Sequence, residues 1–515
     1  MLTSIRSRFL DQLLTPLRNA SAEPGRLPAW VPLWALLLAC LYLPTLGTRF
    51  DFIDDGNLVY PAPPMPLGQR LGLVWEKVVA NYEHLGPFRP VLWVHWEAEA
   101  ELFRANPVAW RAGRLLWAAL AAGMLLWLLH ELGVRPGAAV LAAALATWEP
   151  YRGEIWTSLT LSEGVAMPYA LLALVCAVRA ARSPRPWRWD LAGSLGLLAA
   201  LGCKNTFAAL VPAQLLLRLL ADGRAPLAAW QAHGRRACLL TLPLLMPIIH
   251  FILFKLAWHP GQYTTGLSLA QAGRMLRTVG GALSPAFVGP GLVVVALVVG
   301  VSRWRGPAVP GTWERYRLAC LAAAALLLFG IGIYLPLDAV SGRYSMPAVW
   351  GGDILVGVLL SALAGVQWPA WRRVGYAAFG CGLVAVAVAS LGKQEKFAAR
   401  ARLLWRTLDY VARQAPPHAC IGWASGPALN PEEGIHFRWH LLARGRGDLG
   451  VCLLDEDGHP LQRREVPAAV AAPSLLVSGS ADRPPGGPWQ SVRDFRAFYW
   501  AGRRRYDCYL WQLRP

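Results

Sequence analysis

Residues 191–220 read LAGSLGLLAALGCKNTFAALVPAQLLLRLL, an apolar run interrupted by Lys204-Asn205-Thr206. The run is too long for one crossing of a ~30 Å hydrocarbon layer and too short for two full ones. Arginines gather at both ends: Arg179, Arg182, Arg185 and Arg188 before it, Arg218, Arg224, Arg235 and Arg236 after it. Short basic loops stay on the cytoplasmic side, so the chain between them must go out and return. A short helical hairpin turning at Lys204 satisfies both constraints. Each arm of about 14 residues rises only ~21 Å, which leaves the turn below the outer surface and Lys204 recessed. A lysine at that depth costs roughly 2.5–3.5 kcal/mol on insertion scales, so it calls for a polar cavity, an anionic ligand or a carboxylate partner.

The same reading extends outward to a polytopic α-helical membrane protein. Of 515 residues, 55% are hydrophobic and only 16% charged, and the apolar residues come in span-length runs. A formal charge of +19 would suggest nucleic acid in a soluble chain. Here the arginines fall in short loops between apolar runs, so membrane topology and the anionic inner leaflet account for the charge and nucleic acid is excluded. Further basic clusters at Arg6/Arg8/Arg18/Arg26, Arg135, Arg303/Arg305/Arg315/Arg317 and Arg372/Arg373 mark the inner side. Spans are expected near 30–47, 111–130, 136–149, 158–178, 191–203, 206–220, 238–257, 286–302, 318–336, 346–365 and 374–391, about eleven helices with the amino terminus inside. The first run is as long as a span and follows a basic lead, so it is expected to remain as an anchor.

This map divides the chain into a cytoplasmic basic segment (1–28), a transmembrane domain (29–391) with a long outer loop (48–110), and a small extracytoplasmic α/β domain (392–515). Helices are expected in that last domain at 396–414 and from Asn430-Pro431-Glu432-Glu433, where an Asn cap, a first-turn proline and acidic residues suit the positive helix end. Strands are expected at 419–423, 450–454, 474–477 and 506–513. Cys40, Cys176, Cys203, Cys238, Cys320 and Cys381 lie in or beside apolar runs, where cysteine is a small hydrophobe. Cys420, Cys452 and Cys508 lie in the outer domain, where one disulfide has room to form, but their spacing makes no metal motif.

Several polar groups fall on the outer side. Asp54 and Asp55 follow the first span. Arg89 stands between Pro87 and Pro90, which limit where its guanidinium can point, and a prearranged guanidinium suits bidentate phosphate contact. The turn Trp148-Glu149-Pro150-Tyr151-Arg152-Gly153-Glu154-Ile155-Trp156 places Glu149, Arg152 and Glu154 at the outer interface between tryptophan anchors. A later turn brings Arg343 and Tyr344 to the same side. In the outer domain Trp489, Phe495, Phe498, Tyr499 and Trp500 suit either a domain core or sugar stacking, and Arg503-Arg504-Arg505 either a solvated face or an acidic partner.

The order of these elements resembles the GT-C superfamily of polyprenyl-phosphate-sugar-dependent glycosyltransferases. It looks closest to membrane domains related to protein O-mannosyltransferases and to transmembrane mannosyltransferases that carry tetratricopeptide repeats. The matching features are Asp54-Asp55, Arg89-Pro90, the Pro150/Glu154 turn, the Lys204-Asn205-Thr206 tip, and Arg343-Tyr344 with Pro347, over roughly residues 30–365. The chain departs from the family pattern at Glu149 and Asn205, where those families carry His and Glu, and its tail has no such repeats.

The resemblance implies transfer of a sugar from a polyprenyl-phosphate donor to a hydroxyl of a protein, lipid or glycan acceptor on the outer face. Asp54 would be the base, Asp55 would orient it, Arg89, Lys204 and Arg343 would hold the departing phosphate, and Arg152, Glu154 and Tyr344 would contact the acceptor side. The stereochemistry is expected to invert. Two adjacent carboxylates without further spaced ligands do not make a metal site, so no cofactor or required metal is expected. A transporter or flippase of a lipid-linked or anionic solute is the alternative, for which inverted repeats would speak. The Arg-, Ala-, Leu- and Gly-heavy, Lys-poor composition points to the cytoplasmic membrane of a bacterium.

Overall fold

The structure is a computed structural model. It describes residues 27–52, 55, 65–85, 88–221, 269–283, 285–305, 312–333, 346–425, 429–455, 473–479, 489–498 and 505–513, with isolated positions between 231 and 249 and at 459 and 461. The helices are α1 Trp30–Ala39, α2 Leu67–Leu85, α3 Pro90–Phe103, α4 Pro107–Glu131, α5 Pro136–Trp148, α6 Pro150–Thr157, α7 Ser162–Arg182, α8 Pro186–Cys203, α9 Leu210–Ala221, α10 Leu269–Gly281, α11 Pro285–Arg305, α12 Thr312–Gly332, α13 Met346–Leu363, α14 Pro369–Gln414 and α15 Pro431–Ala443. Proline opens many of them, where its missing N–H costs nothing and its fixed φ suits the first turn.

Among the described residues seven helices are long and apolar enough to cross a membrane, so the chain is a multi-pass membrane protein. Eleven spans were expected. The runs at 136–149 and 206–220 form helices shorter than a full crossing, the run at 191–203 lies in α8, which is not among the seven, and 238–257 lies largely outside the described residues. The stretch 48–110, expected as a loop, holds two helices, α2 and α3. The runs 374–391 and 396–414 are one continuous helix, α14. Nothing between them stops a helix, since Gly392 is the only breaker and proline is absent. The polar residues at the junction find partners, with Gln394 donating to Leu41 O at 3.3 Å and Lys393 to Pro150 O at 2.9 Å.

The predicted hairpin is present. Helix α8 ends at Cys203, Lys204 is extended, a 3-10 turn runs Asn205–Ala209, and α9 follows. Glycines seat it against α7: a Cβ at Gly193 would lie 2.9 Å from Cys176 Cβ, and one at Gly196 would lie 3.1 Å from Tyr169 O. Backbones can approach this closely only where the side chain is absent, the usual means of packing helices in lipid.

Beyond the membrane helices stands a five-stranded sheet in the order β2-β1-β3-β5-β4: β1 Cys420–Ala424, β2 Gly450–Leu454, β3 Leu475–Ser478, β4 Trp489–Phe498 and β5 Arg505–Leu513. The first three strands are parallel; β5 is antiparallel to β3 and β4. The four expected strands form within a residue of their expected bounds. Strand β4 is not foreshadowed in the sequence, because its exposed, charge-bearing face on the sheet edge masks the alternation. Helix α15 begins as read, with a capping box in which Asn430 Oδ1 accepts from Glu432 N–H and Glu433 Oε2 from Asn430 N–H. Cys420 and Cys452 form a disulfide between β1 and β2, and Cys508 is a buried free thiol.

Candidate active site

Past α1 the chain tightens into a 3-10 turn around Pro44 and then extends toward the acidic stretch. Asp51 and Asp55 are both buried. Asp51 N–H donates to Asp55 Oδ2 at 2.8 Å, and Phe52 N–H donates to Asp51 Oδ1 at 2.8 Å, so each carboxyl is tied to a backbone amide of the same short stretch. Arg111, fully buried near the start of α4, donates to Arg49 O at 3.1 Å and to Thr157 O and attracts both Asp55 and Asp51. Burial, and then the like charge of Glu433, push the Asp51 carboxyl up to about 6 despite Arg400 and Arg111. Asp54, the expected base, lies outside the described residues.

At the hairpin tip Lys204 is buried with its Nζ 2.9 Å from Glu163 Oε1. Glu163 sits in the first turn of α7, where an anion suits the helix end. The α3 start meets the same tip: a Cβ on Gly202 would collide with the Val91 side chain, and the Arg89 guanidinium lies within electrostatic range of Cys203. Arg89 and Lys204, read from distant stretches of sequence, therefore converge. Arg343 and Tyr344 lie outside the described residues.

One short connection joins the two groups. Thr157, which holds Arg111, closes α6, and Glu163, which holds Lys204, opens α7. Six residues extend at most about 20 Å. The two ends of a single strap, residues 157–163, thus hold Arg111, which attracts the buried acids, and Lys204.

The Glu149–Glu154 turn differs from the exposed interface read in the sequence. It is a helix, α6, capped by Glu149, whose Oε2 accepts from Arg152 N–H at 2.8 Å. Arg152 is buried and forks onto Asp353 of α13, Nη1 to Oδ2 at 2.6 Å and Nη2 to Oδ1 at 3.2 Å. A guanidinium committed to a buried carboxylate in this way locks two helices together and is turned away from any acceptor. Glu154 is half-exposed and 3.5 Å from Lys393 of α14. Glu99 of α3 receives Arg114 Nη2 at 2.5 Å and Trp117 Nε1 at 3.2 Å, with His95 Nε2 3.1 Å away. Burial alone would raise the Glu99 carboxyl; Arg114 and His95 outweigh it and hold it low.

No protein-family model matches the sequence, and no curated protein matches it. Solved structures do. ArnT from Cupriavidus metallidurans, bound to undecaprenyl phosphate, superposes with a TM-score of 0.50 over 93% of this chain and 98% of that one, at 15% identity. The chain has the GT-C fold. The archaeal oligosaccharyltransferase AglB from Archaeoglobus fulgidus, in complex with an inhibitory peptide and a dolichol phosphate, is similar at a TM-score of 0.39 and 11% identity, over 82% of this chain and 64% of that one.

Sequence reasoning missed Asp51, Arg111, Glu163 and Asp353. Asp51 had a signal in the sequence itself, since Asp51-Phe-Ile-Asp54-Asp55 carries three acids. Arg111 and Asp353 stand in helices otherwise apolar enough to span, and an ionisable residue there demands a partner. Which partner only the packing reveals. Among the described residues no group of three or more His, Cys, Asp or Glu could hold a metal ion.

Proposed function

We propose that the protein is a membrane glycosyltransferase that moves a sugar, hexose or pentose, from a polyprenyl-phosphate donor to an acceptor hydroxyl on the outer face of the membrane. The observation that carries this reading is the strap at 157–163, whose Thr157 carbonyl meets Arg111, the guanidinium that attracts the buried Asp51 and Asp55, and whose Glu163 carboxylate meets Lys204. That is the charge pattern the chemistry needs. The acceptor oxygen forms its bond to the anomeric carbon while the bond from that carbon to the phosphate oxygen breaks. The bonding pair leaves with the lipid phosphate, and the hydroxyl proton passes to a carboxylate. Asp54 is assigned as that carboxylate, with Asp55 fixed beside it by the Asp51 amide. Negative charge grows on the phosphate as the bond breaks, and Arg89, Lys204 and Arg343 are assigned to meet it. Displacement by the acceptor inverts the anomeric centre. Undecaprenyl phosphate in ArnT, the structure of comparable shape and length, supports a lipid-linked donor. Glu154 and Tyr344 are assigned to the acceptor side, and Arg152 to the helix frame.

The test is transfer by purified protein from a panel of polyprenyl-phosphate sugars. Asp54→Asn should abolish turnover and still bind donor, because the phosphate contacts are on other elements. Equal turnover by Asp54→Asn and wild type would remove Asp54 from the chemistry, and no transfer from any donor would remove the reaction itself.

A further inference from the structure

The acidic segment belongs physically to the C-terminal domain. Phe50 and Phe52 are buried in one hydrophobic cluster with Leu408, Trp423, Phe437 and Leu441, residues of α14, β1 and α15. Phe52 is fully enclosed, its ring 4.7 Å from His440, 5.5 Å from Trp405 and 5.9 Å from Phe437. Phe50 stacks on His440 at 6.4 Å with the rings 10° from parallel. The backbone is held as well: Trp405 Nε1 donates to Phe50 O at 2.8 Å, and His440 Nε2 lies 3.4 Å from Asp51 O. On its other side the segment is held by Arg111 of the membrane domain.

A stretch gripped from both sides keeps its carboxyls in place only while both grips hold. From this we infer that the C-terminal domain is a working part of the acid site, with His440 and Trp405 as positioning residues that fix Phe50, Asp51 and Phe52 for catalysis. The inference rests on the proposed transferase reading. It goes beyond that reading by giving the C-terminal domain a task in positioning the acids. His440 touches neither donor nor acceptor; it acts through Phe52 and the Asp51 carbonyl. Burial pushes its imidazole down to about 3, so it works as a neutral ring that can donate one N–H.

Two measurements on the full-length protein test this. The first is amide hydrogen exchange at Asp51 and Phe52, which needs no activity. His440→Ala should speed it by roughly tenfold while the β1–β3 amides keep their protection. The second is transfer kinetics. A slackened acid segment costs kcat, by roughly 10- to 100-fold for a displacement near 1 Å, while the donor KM stays unchanged because Arg89 at the start of α3 and Lys204 on the hairpin are held by other contacts. Phe52→Leu, a milder change, should give the same pattern at smaller size, and His440→Gln, which keeps an N–H donor, should recover part of kcat. Unchanged exchange in both His440→Ala and Phe52→Leu would overturn the clamp, and faster exchange with undiminished kcat would overturn its role in positioning. If wild type itself transfers no sugar, the transferase reading fails, and the exchange experiment still decides whether the domain holds the segment.

Discussion

Lys204 and Asp51 show opposite ways of keeping a charge in a dry place. Lys204 has Glu163 as its partner, and removing one member of a buried pair strands the other at roughly 3–5 kcal/mol. Lys204→Met should therefore melt well below wild type in detergent, while the double change Lys204→Met/Glu163→Gln, which removes both charges, should regain most of the loss. Transfer by the double variant separates the two uses of this lysine: a stable but inactive protein is expected, and restored activity would reduce Lys204 to a structural partner. Asp51 is instead raised to about 6 by burial and by Glu433. Below about pH 4 it is protonated in both folded and unfolded chains and burial costs nothing. As pH rises through 6 the folded carboxyl must ionise in a dry site, and stability is lost, by about 3 kcal/mol for a two-unit displacement. Asp51→Asn should melt like wild type at pH 4 and above it at pH 7.5.

At the scale of elements, close helix approach sets the frame, and glycine permits it. A Cβ on Gly382 of α14 would lie 2.6 Å from Phe287 O of α11, and one on Gly291 of α11 would lie 2.8 Å from Ala378 O of α14. The two glycines serve one crossing from either side. Gly382→Leu must force these helices apart, at about 1–3 kcal/mol for overpacking, and should lower the melting temperature; Gly380→Leu, with nothing within 4 Å of its Cβ, should not. The continuity of α14 gives this crossing a longer reach. The helix that packs on α11 at Gly382 is the same one that carries Trp405 to Phe50 O.

For the molecule as a whole, the C-terminal domain and the membrane helices meet at the segment that bears the acids as well as along α14. The Cys420–Cys452 bond closes a loop of 32 residues in the domain that grips it, and removing such a bond costs about 3 kcal/mol. Cys452→Ser should accordingly loosen the acid segment, seen as faster exchange at Asp51 and Phe52, before it affects the membrane helices. Acid should act on the same junction. Burial pushes His440 down to about 3 and His436 to about 4, so the stability they confer is present above the unfolded value near 6.5 and drains away as pH falls below it. His440→Phe, which keeps a ring and loses the titration, should flatten the fall in melting temperature between pH 6.5 and 4.

The sequence by itself determined the membrane class, the short hairpin at Lys204, the capped helix at Asn430 and most of the sheet, because hydrophobic run length, arginine placement and capping chemistry are local and leave their mark in neighbouring residues. It also named Arg89 and Lys204, since a proline-flanked arginine and a lysine inside an apolar run stand out without knowledge of their surroundings. Only the tertiary structure decided that Arg152 belongs to Asp353, that Glu163 holds Lys204, and that Phe50 and Phe52 complete the core of a domain more than three hundred residues further along the chain. Those are pairings between distant stretches, chosen by which buried charge or ring finds its complement when the helices pack, and no local pattern encodes the choice.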